Sequence, residues 1–323
     1  MAFFERLPRA TEAADTADTA DTATTAATSL LPDPEGPGRV LTAMDRIEGA
    51  RWADPLIKQL RGVVRRLPPP TRDVLHGRWL GHPAHPALVQ VPMGTWTSAA
   101  LLDLIPGKGR GAGALIAVGL VSAAPAAAAG LADWADLRKP QARVGLVHAA
   151  ANSAAIAFYA ASLLARLRGR RLRGRALGFA GLTSATVGGA LGGHLAYRQA
   201  AGANHAEQVA AVVEPGWHLL GSLSEFPVGT PVVRVSSGVS VMVLREPDDT
   251  VRVIADRCSH MAGPLSEGEI ADGCVTCPWH GSVFRLSDGW NIRGPATAPQ
   301  PVFETRVTTG RVMARLPEET KEL

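Results

Sequence analysis

Cys258-Ser259-His260 and Cys277-Pro278-Trp279-His280-Gly281 decide the C-terminal fold, and 16 residues separate the two stretches. Each supplies one thiol and one imidazole, and together they make a four-ligand metal set. A zinc site of two Cys and two His normally pairs Cys with Cys and His with His. One of each per loop suits a [2Fe–2S] cluster, with two Cys on one iron and two His on the other. A structural zinc module remains the alternative. Gly263, Gly268, Gly273 and Gly281 flank the loops, where close backbone approach needs small residues.

Upstream of the first loop, Pro231–Ser236, Val239–Leu244 and Thr250–Ala255 alternate and are rich in β-branched residues. Ser237-Gly238 and Pro247-Asp248-Asp249 separate them as turns. Connections this short require antiparallel pairing.

From about Glu214 to Leu316 the chain resembles a Rieske iron–sulfur domain, through the pattern C-x-H-x16-C-x-x-H-G. The resemblance implies an all-β, antiparallel, sandwich-like fold. It places Cys258 and Cys277 on a buried iron and His260 and His280 on an outer one. Gly294-Pro295-Ala296 becomes the loop that covers the cluster. High-potential members carry an extra disulfide-forming Cys in each loop, where this chain has Gly263 and Trp279. Cys274 precedes the second loop and reads as a small buried hydrophobe. The match is therefore to the ferredoxin type, which tolerates a reducing compartment. Ser282 keeps a hydroxyl that the high-potential type uses, while Phe284 replaces its companion Tyr. Fewer donors to the sulfurs imply a potential toward the lower part of the range of about −150 to +300 mV.

The rest of the 323 residues is built differently. Ala87–Ile105, Ala112–Leu131, Val144–Ala165 and Ala176–Tyr197 are nearly uncharged runs of 19, 20, 22 and 22 residues. About 20 apolar residues span a bilayer, so the expectation is an α-helical four-span transmembrane bundle over 79–199. A stripe of Gly181, Ala185, Gly189 and Gly193 at four-residue spacing would let helices approach closely. Pro125 is expected to kink the second span. His82-Pro83-Ala84-His85-Pro86-Ala87-Leu88-Val89 and Gly192-Gly193-His194-Leu195-Ala196-Tyr197 resemble a bacterial four-span membrane family, domain of unknown function 2231, over about 80–205. That family supplies no established activity.

The net charge of +4 conceals a strong asymmetry. Residues 1–35 carry 2 basic and 7 acidic side chains, 36–211 carry 21 and 8, and 212–323 carry 10 and 14. A basic middle segment that also holds the apolar runs points to membrane lipid as partner and away from nucleic acid. Residues 1–38 read as a disordered tail without a secretory signal. Residues 39–78 read as one basic amphipathic helix ended by Pro68-Pro69-Pro70, 200–213 as a linker, and 317–323 as a tail. Basic residues lie on both sides of the proposed spans. The missing signal and the ferredoxin-type chemistry decide for cytoplasmic termini, with the cluster domain on the cytoplasmic side of the inner membrane.

His82, His85, Asp133, Asp136, His148, Asn152, His194 and His205 fall at one end of the expected bundle, the end that carries the cluster domain. Ionisable groups at membrane depth are costly and usually functional. His85, His148 and His194 form a candidate second site for haem, metal or quinone. Interfacial groups satisfied by water, backbone and one another are the alternative. No C-x-x-C-H occurs, which excludes covalent c-type haem.

The expectation is thus a membrane-anchored electron carrier with a [2Fe–2S] cluster held by Cys258, His260, Cys277 and His280, working with redox donor and acceptor proteins. A membrane-tethered redox sensor is the other reading. A Rieske oxygenase is disfavoured, since no histidine follows residue 280 to build a two-His-one-carboxylate iron site.

Overall fold

In the computed structural model, which describes residues 38–317, prolines and glycines cut the basic segment into pieces. The single helix expected over 39–78 is instead α1 (Gly38–Glu48), α2 (Asp54–Val64) and α3 (Pro69–His76). Pro55 and Pro69 open α2 and α3, where a missing N–H costs nothing. Gly77 ends α3 at φ +79°, and a Cβ there would meet the His82 carbonyl oxygen at 2.4 Å. The chain divides after Ala50 into two compact units; α1 is the described element of the first, and all that follows lies in the second.

The helical part continues with α4 (Ala84–Leu88), α5 (Gln90–Leu104), α6 (Gly109–Ala135), α7 (Lys139–Leu167) and α8 (Arg171–Gly193). Two of these, α6 with 27 residues and α7 with 29, are long and apolar enough to cross a membrane. Their outer faces expose Val118, Val121, Leu131, Val147 and Leu164. Helix α5 has 15 residues, which reach only about 22 Å at 1.5 Å per residue. Helix α8 begins with Arg171, Arg173 and Arg175. Helix α6 runs on through Pro125.

Small residues set the packing. Trp96 and Tyr159 stack in the bundle core with centroids 4.3 Å apart. Gly119 and Gly181 face them, and a Cβ on either would lie within 3 Å of an aromatic ring. The contact stripe of α8 differs from the four-residue one expected. Gly181, Ala185, Gly188 and Gly192 face α7, whereas Gly189 and Gly193 meet open space. A helix repeats every 3.6 residues, so a strict four-residue stripe drifts off the interface. At the end far from the cluster domain, Asp103 and Arg166 form a buried two-pronged ion pair.

The C-terminal part is β-rich. A six-stranded antiparallel sheet has the order β1 (His218–Ser222), β10 (Arg311–Arg315), β9 (Val302–Thr308), β4 (Val251–Ala255), β3 (Val239–Arg245), β2 (Val232–Ser236). A four-stranded antiparallel sheet runs β5 (Glu269–Ala271), β6 (Cys274–Thr276), β7 (Val283–Arg285), β8 (Asn291–Arg293). The three strands expected before the first Cys loop are β2, β3 and β4, paired as expected. Alternation puts Val241, Val243 and Val253 on one face of the large sheet and Met242, Leu244 and Ile254 on the other. The second set packs with Phe284, Leu286, Cys258 and Cys277, so the metal loops close one of the two cores. Short α9 (Val209–Val212) lies in the segment joining the two parts, and Val209 and Val213 pack into the other core. Residues 1–37 and 318–323, which hold most of both expected tails, lie outside the described residues.

Candidate metal centre

Two loops of like construction present the four ligands. In the first, after β4, the Cys258 N–H donates to Gly263 O at 2.9 Å and the Ala262 N–H to Cys258 O at 2.8 Å. In the second, between β6 and β7, the Cys277 N–H donates to Ser282 O at 2.8 Å and the Gly281 N–H to Cys277 O at 3.0 Å. Each loop so folds back on its own cysteine. Gly281 takes φ +74° to close the second.

The thiols are 1% and 3% exposed, and the imidazoles of His260 and His280 lie on the outer side with ring centroids 4.9 Å apart. Each sulfur receives backbone N–H groups from its own loop: His260 and Met261 for Cys258, Trp279 and His280 for Cys277. The thiols share a hydrogen bond. It holds Cys277 down to about 7, helped by its two N–H donors, and pushes Cys258 up, helped by burial. Burial holds both imidazoles below the ordinary histidine range, His260 well below it. Neutral imidazole is the form that ligates metal.

Three observations fit these residues to a two-iron cluster. His280 Nδ1 is buried without a hydrogen-bond partner, as a ligand nitrogen would be. A Cβ on Gly263 would come within 2.9 Å of Cys277 Sγ, so the first loop approaches the second ligand with no space for a side chain. Among the described residues no three His, Cys, Asp or Glu side chains gather around a single ion. A zinc site needs four ligands on one point; a [2Fe–2S] cluster asks only two of each iron.

The loops are braced by residues whose role the sequence did not reveal. Gln300, 2% exposed, accepts from the Ser259 N–H at 3.0 Å and donates to Ala255 O and Arg257 O at 2.7 Å. Asn291 donates to Ala296 O at 2.9 Å, and the Ala296 N–H donates to Ser282 Oγ at 3.1 Å. These bonds fix Gly294-Pro295-Ala296 against the second loop. Gly294, at φ +94°, lies so close that a Cβ would meet Ser282 Cα at 2.6 Å. Phe284 is fully buried, as an apolar replacement for Tyr must be. Cys274 is only partly buried, not the core hydrophobe expected; it opens β6, which pairs with β5 and β7, and its thiol contacts Asp272 O at 3.6 Å.

The helical part meets this centre directly. Asp73 Oδ1 accepts from the Gly294 N–H at 3.1 Å, Arg78 donates to Asn291 O at 2.8 Å, and the His205 N–H donates to Ser259 O at 2.9 Å. A cavity of about 40 Å³ is lined from one side by Pro83, Asp133 and Leu137 and from the other by Ser259, His260 and Pro295. That volume holds a few water molecules. His76, unremarked in the sequence, is 2% exposed behind Asp133, with Nδ1 2.9 Å from Asp133 Oδ1 and Nε2 3.5 Å from Asp136 Oδ2. Arg65 stands 3.6 Å from Asp136. Two carboxylates three residues apart at a helix end were the available hint of such a partner.

Of the second candidate set, His85 and His148 come together with ring centroids 6.1 Å apart. His194 opens the single π-helical turn His194–Arg198 that follows α8. Exposed His82 contacts Pro83 O at 3.0 Å.

Family models match the chain as a Rieske [2Fe-2S] domain over residues 216–304 and as a predicted membrane protein domain, DUF2231, over residues 81–205. The anthranilate 1,2-dioxygenase ferredoxin subunit of Burkholderia cepacia is 36% identical over 96 residues, 30% of this chain and 88% of that protein. Ferredoxin CarAc of Metapseudomonas resinovorans is 31% identical over 97 residues, 30% of this chain and 90% of that protein. A solved ferredoxin of carbazole 1,9a-dioxygenase from Nocardioides aromaticivorans is 23% identical, covers 31% of this chain and 98% of its own, and has a TM-score of 0.30. The chain belongs to the Rieske [2Fe–2S] family, in its ferredoxin-type branch. A DUF2231 predicted membrane domain precedes the Rieske domain in the same chain.

Proposed function

We propose that this protein is a membrane-anchored Rieske electron carrier that passes single electrons between its cluster and an acceptor or donor on the side of its own helical domain. The carrying observation is the position of His260, which lines one cavity together with Asp133, Pro83 and Leu137 of the helical part. The imidazole edge is the shortest way for an electron out of such a site, because the cysteines lie in the protein core. Cys258 and Cys277 would hold one iron and His260 and His280 the other. The cluster supplies one-electron chemistry. Asp73, Arg78 and the backbone of His205 hold the domain in place, and Asp133 with His76 keeps polar, hydratable groups at the imidazole edge.

The relatives named as ferredoxin subunits of dioxygenases support the carrier reading. Four spans, an inner-membrane address with the cluster on the cytoplasmic side, contact with lipid, and a haem or quinone as redox partner belong to the same proposal. The apolar outer faces of α6 and α7 support the membrane address.

The test is optical and EPR spectroscopy with iron and acid-labile sulfide analysis on detergent-purified full-length protein. Two irons and two sulfides per chain, lost together in Cys258→Ser and in His280→Ala, are expected. One zinc and no sulfide would leave only a tethered structural module.

A further inference from the structure

The electron-transfer reading leaves two imidazoles inside the helical part without a task. His85 on α4 and His148 on α7 stand ring to ring, 6.1 Å between centroids and 78° between planes. His85 Nδ1 lies 2.8 Å from the Ala126 carbonyl oxygen on α6, and His148 Nδ1 lies 2.7 Å from the Gly188 carbonyl oxygen on α8. A carbonyl oxygen only accepts, so each Nδ1 carries a proton, and Nε2 is the nitrogen that a neutral ring in this pose would offer to a ligand. An imidazole pinned in this way through its other nitrogen is in the state that ligates a metal.

The neighbouring helices pack closely onto these rings through glycines. A Cβ on Gly130 would reach within 2.7 Å of the His85 ring, one on Gly192 within 3.2 Å of His148, and one on Gly188 within 2.6 Å of Asn152. Around them run Ala126–Ala129, Ala149–Ala151 and Gly188-Gly189, so little side-chain volume surrounds the pair. The Asn152 amide nitrogen donates to the His148 main-chain carbonyl at 2.9 Å and lies 3.2 Å from Nε2 and 3.4 Å from Nδ1 of the same ring. It steadies the imidazole as well as competing for its lone pair.

We propose that His85 and His148 are the two axial ligands of a non-covalently bound haem iron. Metal–imidazole bonds of about 2.0–2.1 Å place two ring centres facing across one metal on the order of 6 Å apart, at any mutual rotation. The ligand class follows from what is missing around the pair. No third His, Cys, Asp or Glu among the described residues joins it into an ion-holding group. Two nitrogens leave a bare first-row ion short of the four to six ligands it takes. A porphyrin brings its own four and asks the protein for two axial ones. The site also lies toward the cluster: Pro83, two residues before His85, lines the same cavity as His260. This inference rests on the electron-transfer reading for its purpose and gives that reading its internal acceptor.

The experiment is a dithionite-reduced difference spectrum and a pyridine haemochrome assay on full-length protein, purified from cells supplied with iron and 5-aminolevulinate. About one haem per chain with a six-coordinate, low-spin spectrum is expected. His85→Gln and His148→Gln keep a side-chain donor for the two carbonyls, and each is expected to lose the haem while keeping the EPR signal of the reduced cluster. Cys258→Ser is expected to do the reverse, which separates failure of this site from failure of the cluster assignment. Wild-type protein without haem, haem that survives both glutamine variants, or a bare metal lost in those variants would each overturn the proposal. If either glutamine variant does not accumulate, His85→Met and His148→Met provide the readout, since a thioether in place of one imidazole moves the reduced α-band only when that residue is an axial ligand.

Discussion

Asp73, the fifth residue of the short helix α3, accepts a hydrogen bond from the Gly294 N–H 221 residues further on, at 3.1 Å. One carboxylate of the basic segment thereby holds the loop that covers the metal ligands. A hydrogen bond to a charged group contributes about 1.5–3 kcal/mol net. Asp73→Ala is expected to leave the cluster spectrum in place and to speed hydrogen exchange across 291–298 by about tenfold or more, at about 1.4 kcal/mol per factor of ten. Unchanged exchange there would show that Asn291 and Ser282 hold the loop unaided.

Gly263→Ala tests the close approach of the two loops. The added methyl would fall 2.9 Å from Cys277 Sγ and 3.0 Å from the Trp279 ring. Buried backbone and a ligand sulfur cannot shift without moving the site. The expected outcome is loss of most bound iron and of visible absorbance. Gly273→Ala, in an open turn at φ +69° with nothing near it, should keep the cluster and lose only about 1 kcal/mol of stability to backbone strain.

Asp136 bears on the metal centre from the helical side. Its carboxylate is buried, 3.5 Å from His76 Nε2, and its charge acts on His280 against the burial that lowers that imidazole. Negative charge stabilises the oxidised, more positive cluster. Asp136→Asn is therefore expected to raise the midpoint potential, and a redox titration followed by EPR reads the shift. An unchanged potential would mean that Arg65 already neutralises the carboxylate, and a lower one that Asp136 acts through the packing of His76 and not through its charge.

The sequence was most legible where chemistry fixes spacing. Cys258, His260, Cys277 and His280 occur in a pattern with few physical alternatives, and β2, β3 and β4 announce themselves by strict alternation. It was least legible where distant segments meet. Nothing local marks His76, Asp73 or Gln300, because their partners lie 57, 221 and 41 residues away. The α8 stripe was misread by one face because four-residue spacing approximates a 3.6-residue helix for only about two turns. The basic segment was read as one helix because its charge pattern is continuous; Pro55 and Pro69 interrupt the backbone without interrupting the charge.

Asp54, at the start of α2, receives two hydrogen bonds of 2.8 Å from Arg143 at the start of α7. That guanidinium holds the Asp54 carboxyl below the usual carboxylate range. A depressed folded-state value means that the unfolded chain binds the proton more readily. The contribution is then fully present above the ordinary value of about 3.9 and fades as pH falls through the folded one. Below about pH 4, melting in detergent should drop more steeply in the native protein than in Asp54→Asn. Equal slopes would assign the acid sensitivity to other carboxylates.

The Asp103–Arg166 pair makes the sharpest demand on the helical part. Its side chains are 3% and 10% exposed, and Arg166 also donates to Ser162 Oγ at 3.2 Å. Removing one partner leaves an uncompensated buried charge, at a cost of about 3–5 kcal/mol, whereas replacing both by apolar groups of similar size can be neutral. Asp103→Asn should therefore lower the thermal midpoint in detergent strongly, and Asp103→Leu with Arg166→Met should restore most of it. The cluster signal should survive in both, because the pair sits at the opposite end of the bundle from His260. If the double variant is no better than the single one, the pair is holding α5 against α7 through its geometry. The apolar packing of Trp96 on Tyr159 would then not suffice to fix these helices.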